Sequence, residues 1–127
     1  MNLNQVTVPS TDVLRAVAFY RRLGLELIVD ALPRYARFLC PEGEATFSIH
    51  LVDTLPTGEG VYVYFECTDL DDRVARLQSQ GIVFDEPPSD RSWGWREARL
   101  RDPDGNRLIL FHGGKNRIDP PWCVAAV

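Results

Sequence analysis

The chain repeats itself at an interval of 57 residues: Thr11-Asp12 recurs as Thr68-Asp69, and Gly24 recurs as Gly81. The same shift carries Gln5 onto Tyr62. In each half a strand-like run leads to a Thr-Asp pair whose side-chain oxygens suit a helix start. A segment with apolar residues at three- and four-residue steps follows, and glycine ends it. Alternation predicts a strand over 3–9, a helix over 12–23, and strands at Leu25–Asp30, Tyr35–Cys40 and Ala45–Val52. After the Pro- and Gly-bearing loop 53–60 the order begins again. The second set is a strand at Tyr62–Thr68, a helix at Asp69–Gln80, and strands at Ile82–Phe84, Trp95–Arg101 and Asn106–His112. An order repeated with its markers in register points to a duplicated module.

A module of this size cannot bury both faces of a four-stranded sheet. Its helix covers one face, and the other needs a second sheet. The expected fold is α+β: two βαβββ modules forming a paired, curled mixed β-sheet cleft, with the helices outside. The first module is expected at 1–55 and the second at 56–112. Residues 113–127, with Pro120, Pro121 and Trp122, show neither period and are expected to form an extended arm. A concave cleft between sheets is a common place for a small ligand.

Within the second half, Asp102-Pro-Asp-Gly105 separates two β-compatible runs. Proline presets φ at the second turn position and glycine is permissive at the fourth, so a hairpin is expected over 95–112. Trp93 and Trp95 flank Gly94 just before it, in a segment that also holds Pro87, Pro88, Ser89 and Ser92. Large aromatic surface on a loop beside a sheet end suits stacking against a ligand, or simply closing the end of a core.

Composition removes several function classes. The net charge is −4, and thirteen arginines and one lysine are scattered among the acids. Nucleic-acid binding needs a concentrated basic footprint, which is lacking. No apolar run approaches the roughly 20 residues that span a bilayer, and the first residues lack the basic and apolar regions of a secretion signal. The cytoplasm is the expected compartment. Cys40, Cys67 and Cys123 form neither an even set nor a C-x-x-C pair, so neither disulfide nor zinc spacing is expected. No serine elbow, phosphate loop or dinucleotide fingerprint occurs.

Val6-Thr-Val-Pro-Ser-Thr-Asp12, Ala18-Phe-Tyr-Arg-Arg-Leu-Gly24 and Asp102-Pro-Asp-Gly-Asn106 together resemble the vicinal-oxygen-chelate superfamily of glyoxalases, bleomycin-resistance proteins and extradiol dioxygenases. The resemblance covers both halves. It implies paired modules, a cleft walled by both, and a homodimer. In metal-using members, four inward side chains from the first and last strand of each module hold a divalent ion. Carried over position by position, those slots hold Gln5, His50, Tyr62 and Ile109. Such an ion wants imidazole or carboxylate from several sides. Ile109 offers no donor and Tyr62 would have to lose a proton with a pKa near 10, so no metal or other cofactor is expected. Glu66 shares a strand face with Tyr62 but would lie roughly 13 Å along it, too far to replace it.

The cleft that remains is expected to present Tyr62, Tyr64, either Phe47 or Phe111, Ile109, and the loop tryptophans Trp93 and Trp95. Gln5, His50 and Glu66 supply its polar points. That set suits a metal-free binding protein of the bleomycin-resistance type, sequestering a bulky aromatic compound, cationic ones included. No catalytic residue is assigned. The competing readings are a metal-dependent glyoxalase-like lyase, isomerase or extradiol dioxygenase with an atypical ligand set, and a domain whose cleft is only a packing seam.

Overall fold

The computed structural model describes Met1–Val124 and divides by contacts into two compact units. Met1–Val61 with Arg101–Asn106 make the first, and Tyr62–Leu100 with the residues from Arg107 on make the second. Among the described residues no helix is long and apolar enough to cross a membrane.

In the first unit, β1 (Gln5–Ser10), α1 (Val13–Leu23), β2 (Glu26–Ala31), β3 (Tyr35–Leu39) and β4 (Thr46–Leu51) follow one another. The sheet order is β1-β4-β3-β2, with β1 parallel to β4 and the other pairs antiparallel. Asp12 caps α1 by accepting from the Arg15 amide at 3.1 Å, and Gly24 closes it at φ 113°. Val13, Ala16, Val17, Tyr20 and Leu23 fall on one helical face and are buried. They meet the sheet face formed by Ala36, Phe38, Phe47 and Ile49, where the Tyr20 ring lies 4.7 Å from Phe47 and 5.9 Å from Phe38. Phe47, one of the two phenylalanines expected in a cleft wall, is therefore core under the helix. The strand alternation gives it the opposite parity from Ser48 and His50.

The second unit repeats the plan with β5 (Tyr62–Glu66), α2 (Leu70–Ser79), β6 (Glu86–Asp90), β7 (Arg96–Arg101) and β8 (Arg107–His112), in the order β5-β8-β7-β6. The duplication extends to register. Gln5 stands opposite Thr46 as Tyr62 stands opposite Arg107, both in parallel pairs. The expected strand at Ile82–Phe84 does not form: Ile82 is buried beyond the helix end, Val83 is exposed, and the strand is Glu86-Pro-Pro-Ser-Asp90. Proline cannot donate to a ladder, but β6 is an edge strand whose pairing shifts between Glu86 and Ser89, so both prolines sit in a bulge. The tail opens with a 3-10 turn at Gly114–Arg117, and residues 125–127 of the expected arm lie outside the described residues.

The Asp-Pro-Asp-Gly turn makes the hairpin expected of it, and its carboxylates do more than turn the chain. Asp102, buried, accepts from the Tyr20 hydroxyl at 2.6 Å, the Asn106 side-chain amide at 2.8 Å, and the backbone amides of Asp104 and Asn106 at 2.9 Å. Asn106 also donates to the Pro9 carbonyl at 3.0 Å. Asp104 accepts from the Thr11 amide at 3.0 Å and from Arg15 at 3.2 Å, at the start of α1. Burial first, and then the charge of Asp102, push the Tyr20 phenol far above its ordinary range, so it serves only as a donor. Replacing Asp102 by alanine strands the buried Tyr20 hydroxyl, at a cost of about 1–3 kcal/mol, and takes one acceptor from two backbone amides and from the Asn106 side chain, which keeps the Pro9 carbonyl. In urea unfolding, Asp102→Ala is expected to lose about 3 kcal/mol or more. Tyr20→Phe, which leaves Asp102 three donors, should lose about 1–2 kcal/mol. Equal losses would contradict this division.

Candidate ligand-binding faces

Alternation along β7 sends Arg96, Ala98 and Leu100 one way and Glu97 and Arg99 the other. Arg96 grips Asp71 in the first turn of α2 at 2.9 and 3.1 Å, which identifies its side as the helix face. The opposite face carries Tyr62 and Tyr64 of β5, with Ile109 and Phe111 of β8 brought alongside by the parallel register. Trp95 stacks on Phe111 at 4.6 Å between ring centroids. Tyr64 meets both edge-on, at 5.8 Å from Trp95 and 5.5 Å from Phe111. Tyr64 is 41% exposed while Ile109 and Phe111 are buried, so the tyrosine forms the accessible layer over an apolar floor. The guanidinium carbons of Arg99 and Arg107 each lie 5.9 Å from the Tyr62 ring.

Trp93 does not hang free at the loop tip. Its indole N–H donates to Glu97 at 2.7 Å, and the Arg91 guanidinium lies 5.9 Å from its ring. Glu97 is fully buried, and Arg99 donates to its other oxygen at 3.1 Å. Arg91 and Arg99 both pair with Glu86 at 3.3 Å. Burying a carboxylate is tolerable only with such partners. Glu97, Arg91, Arg99 and Arg107 were not among the residues expected at the site. Their signal was present: Trp95, Glu97 and Arg99 share one strand parity, so a charged pair was bound to lie on the aromatic side.

Glu66 was expected as a polar point of the cleft, and it holds the tail. One carboxylate oxygen accepts from the Gly113 and Gly114 amides at 2.8 and 3.0 Å, and Arg117 lies 3.5 Å from the other. The turn so anchored returns to the tryptophan loop, where Trp95 donates its indole N–H to the Asn116 carbonyl at 3.1 Å and Asn116 donates to the Gly94 carbonyl at 3.3 Å. The fit is close enough that a side chain at either glycine would make a neighbour shift. A Cβ on Gly94, already at φ 84°, would stand 2.8 Å from the Asn116 amide nitrogen, and one on Gly113 would stand 3.0 Å from the Trp95 indole. A groove of about 490 Å³ opens beside this junction, lined by Arg91, Trp95, Arg96, His112, Lys115 and Asn116 among others.

The open face of the first sheet is polar. Gln5 donates to Ser48 at 2.7 Å, Ser48 is hydrogen-bonded to the Tyr35 hydroxyl at 2.7 Å, and Arg37 donates to Tyr35 at 2.8 Å. Gln5 also accepts from Thr46. Slight desolvation would raise the Tyr35 phenol, but the bonds to Ser48 and Arg37 and the Arg37 charge bring it below its usual value. The register corrects one slot carried over from the resemblance. His50 is exposed and pairs with Pro9, four residues along from the Gln5–Thr46 pair and so about 13 Å away. Ser48 is the neighbour of Gln5 and the counterpart of Ile109, whereas His50 is the counterpart of Phe111.

The four slots are thus a glutamine and a serine bonded to each other, a phenol flanked by two guanidiniums, and an aliphatic chain. They do not fit a divalent ion, which wants anionic or imidazole donors. Among the described residues no three His, Cys, Asp or Glu side chains stand together to hold one.

Partial burial would raise the Glu66 carboxyl, but the Gly113 and Gly114 amides, then Arg117 and His112, hold it below the ordinary glutamate value of 4.5. A depressed folded-state value gives stability that is present above 4.5 and is lost as pH falls through the lower folded value. The Trp95 indole N–H resonance is therefore expected to shift on acidification below that point, when the tail turn lets go. Glu66→Gln should show the loosened position already at neutral pH. A Trp95 signal unaffected by either change would contradict the tail's grip.

The whole chain matches known folds closely. No protein of curated function matches it. A glyoxalase/bleomycin resistance protein/dioxygenase from Nocardioides superposes with a TM-score of 0.78 at 23% identity, covering 98% of this chain and 90% of its own. A bleomycin-binding protein in complex with bleomycin gives 0.71 at 22% identity, covering 90% and 99%. A lactoylglutathione lyase from Agrobacterium tumefaciens gives 0.74 at 20% identity, covering 88% and 93%. At these identities the superpositions show the fold alone. The family model for the Glyoxalase/Bleomycin resistance protein/Dioxygenase superfamily matches residues 2–110, and the chain belongs to that superfamily.

Proposed function

We propose that this chain is a small-molecule-binding protein of the bleomycin-resistance type, which holds a bulky aromatic compound by affinity on the open face of its second sheet. The observation that carries this reading is the Tyr64, Trp95 and Phe111 cluster, with Tyr64 accessible and all three centroid separations in the stacking range. Glu66 and Asn116 fix Trp95 before any guest arrives, which lowers the ordering cost of binding. The four slots that metal-using relatives fill with chelating groups hold none that suits a divalent ion, so the lyase or dioxygenase alternative lacks support from the donor set. Arg91 and Arg99 are paired with Glu86 and Glu97, and Arg107 adds a third guanidinium beside Tyr62 on the same sheet face. This favours a neutral or anionic aromatic guest over the cationic one that the acidic composition suggested.

Tryptophan fluorescence with bleomycin and the aromatic anion 1-naphthoate as probes tests the reading. A saturable change is expected with at least one of them, insensitive to chelator. Trp95→Leu should weaken that binding about tenfold, since a stacked aromatic contact contributes about 0.5–1.5 kcal/mol beyond its area. Unchanged affinity in Trp95→Leu would overturn the placement on this face.

A further inference from the structure

The open face of the first sheet holds a hydrogen-bond chain whose protons can be counted. The Val6 carbonyl can only accept, so the Gln5 atom 3.3 Å from it is the amide nitrogen; Ser48 at 2.7 Å takes one of its two hydrogens, and Val6 and the Thr7 hydroxyl at 3.2 Å compete for the other. The Arg37 Nε can only donate, so the Tyr35 oxygen is an acceptor from it. Between the Tyr35 and Ser48 oxygens, 2.7 Å apart, there is room for one hydrogen, and the two hydroxyls bring two. One O–H is left over. Ser48 is fully buried while Tyr35 is only partly covered. A stranded donor is costly where it is buried, so Ser48 gives its hydrogen to Tyr35 and the spare O–H is that of the phenol. Tyr35 then accepts two hydrogen bonds, one of them from a guanidinium, and both strengthen it as a donor. The Arg37 guanidinium carbon lies 5.5 Å from the Tyr35 ring centroid, so its positive charge is close to the phenol.

We propose that Tyr35, backed by Arg37 and Ser48, is a binding point for an anionic ligand oxygen, a carboxylate or phenolate, on the open face of the first sheet. The hydroxyl donates to that oxygen and Arg37 supplies the compensating charge. The donor is a side chain of β3, a strand that supplies none of the inherited metal slots; Ser48, which backs it, is one of those slots, and the chemistry here is donation rather than chelation.

Acetate is the test probe, since it carries the carboxylate without a ring that could stack elsewhere. The full-length protein, labelled with 13C at the tyrosine ζ carbon and 15N in arginine side chains, is titrated with sodium acetate, sodium chloride or neutral acetamide. The Tyr35 and Arg37 resonances are expected to move saturably with acetate and not with chloride or acetamide. Tyr35→Phe, which keeps the ring, should weaken acetate binding read at Arg37 about tenfold, the usual effect of one hydrogen bond to a charged group. A Tyr35 signal that answers acetate no better than chloride overturns the proposal. So does equal binding of acetamide, or undiminished acetate affinity in Tyr35→Phe.

Discussion

A single buried carboxylate gathers much of the first unit around itself. Asp102 satisfies a helix tyrosine, a turn asparagine and two backbone amides at once, and Asn106 passes the constraint on to the Pro9 carbonyl. With Asp104 bonded to Thr11 and Arg15, a turn between two strands of the second sheet is counted with the first unit. The turn motif therefore does more than reverse the chain. Its acids are spent on architecture and are not left for chemistry.

Function follows from what the strands do with their other side. On each sheet, alternation gives one face to a helix and leaves the other for something else. The first sheet's open face became a chain of donors and acceptors running from Arg37 to Gln5, and the second became an aromatic floor edged with arginines. Both changes occupy or border the strand positions where metal-using relatives place chelating groups. In Gln5 and Ser48 a mutual hydrogen bond stands where coordination would be, and in Ile109 a hydrocarbon does. Stacking and hydrogen bonding can hold an organic guest without the Lewis acidity that lyase or ring-cleavage chemistry would take from an ion.

Much of this was legible in the residues. The duplication, both helices, seven of the eight strands and the hairpin follow from local periodicity and turn chemistry, which act over a few residues. The failures needed knowledge of pairing. Pro87 and Pro88 read as loop because nothing local says that an edge bulge will receive them. His50 attracted the metal slot by its chemistry, and only the register shows that Ser48 is the residue beside Gln5. Glu66 read as a cleft group because its partners, the Gly113 and Gly114 amides, lie nearly fifty residues away in a tail with no period. Glu97 and Arg99 were not singled out, although their parity with Trp95 put them on the aromatic side. Tyr35 and Arg37 were hidden similarly, since a hydrogen-bond chain across three strands has no sequence signature.

The most direct measurement is calorimetric titration of metal-stripped protein with zinc, nickel and manganese, followed by elemental analysis of the protein as purified. A chain whose inherited slots are filled by bonded neutral groups, a phenol and an aliphatic side chain should take up none of these ions stoichiometrically. One ion per polypeptide, bound tightly and lost on replacing Gln5 or Ser48, would show that the coordination site survives and would contradict the account.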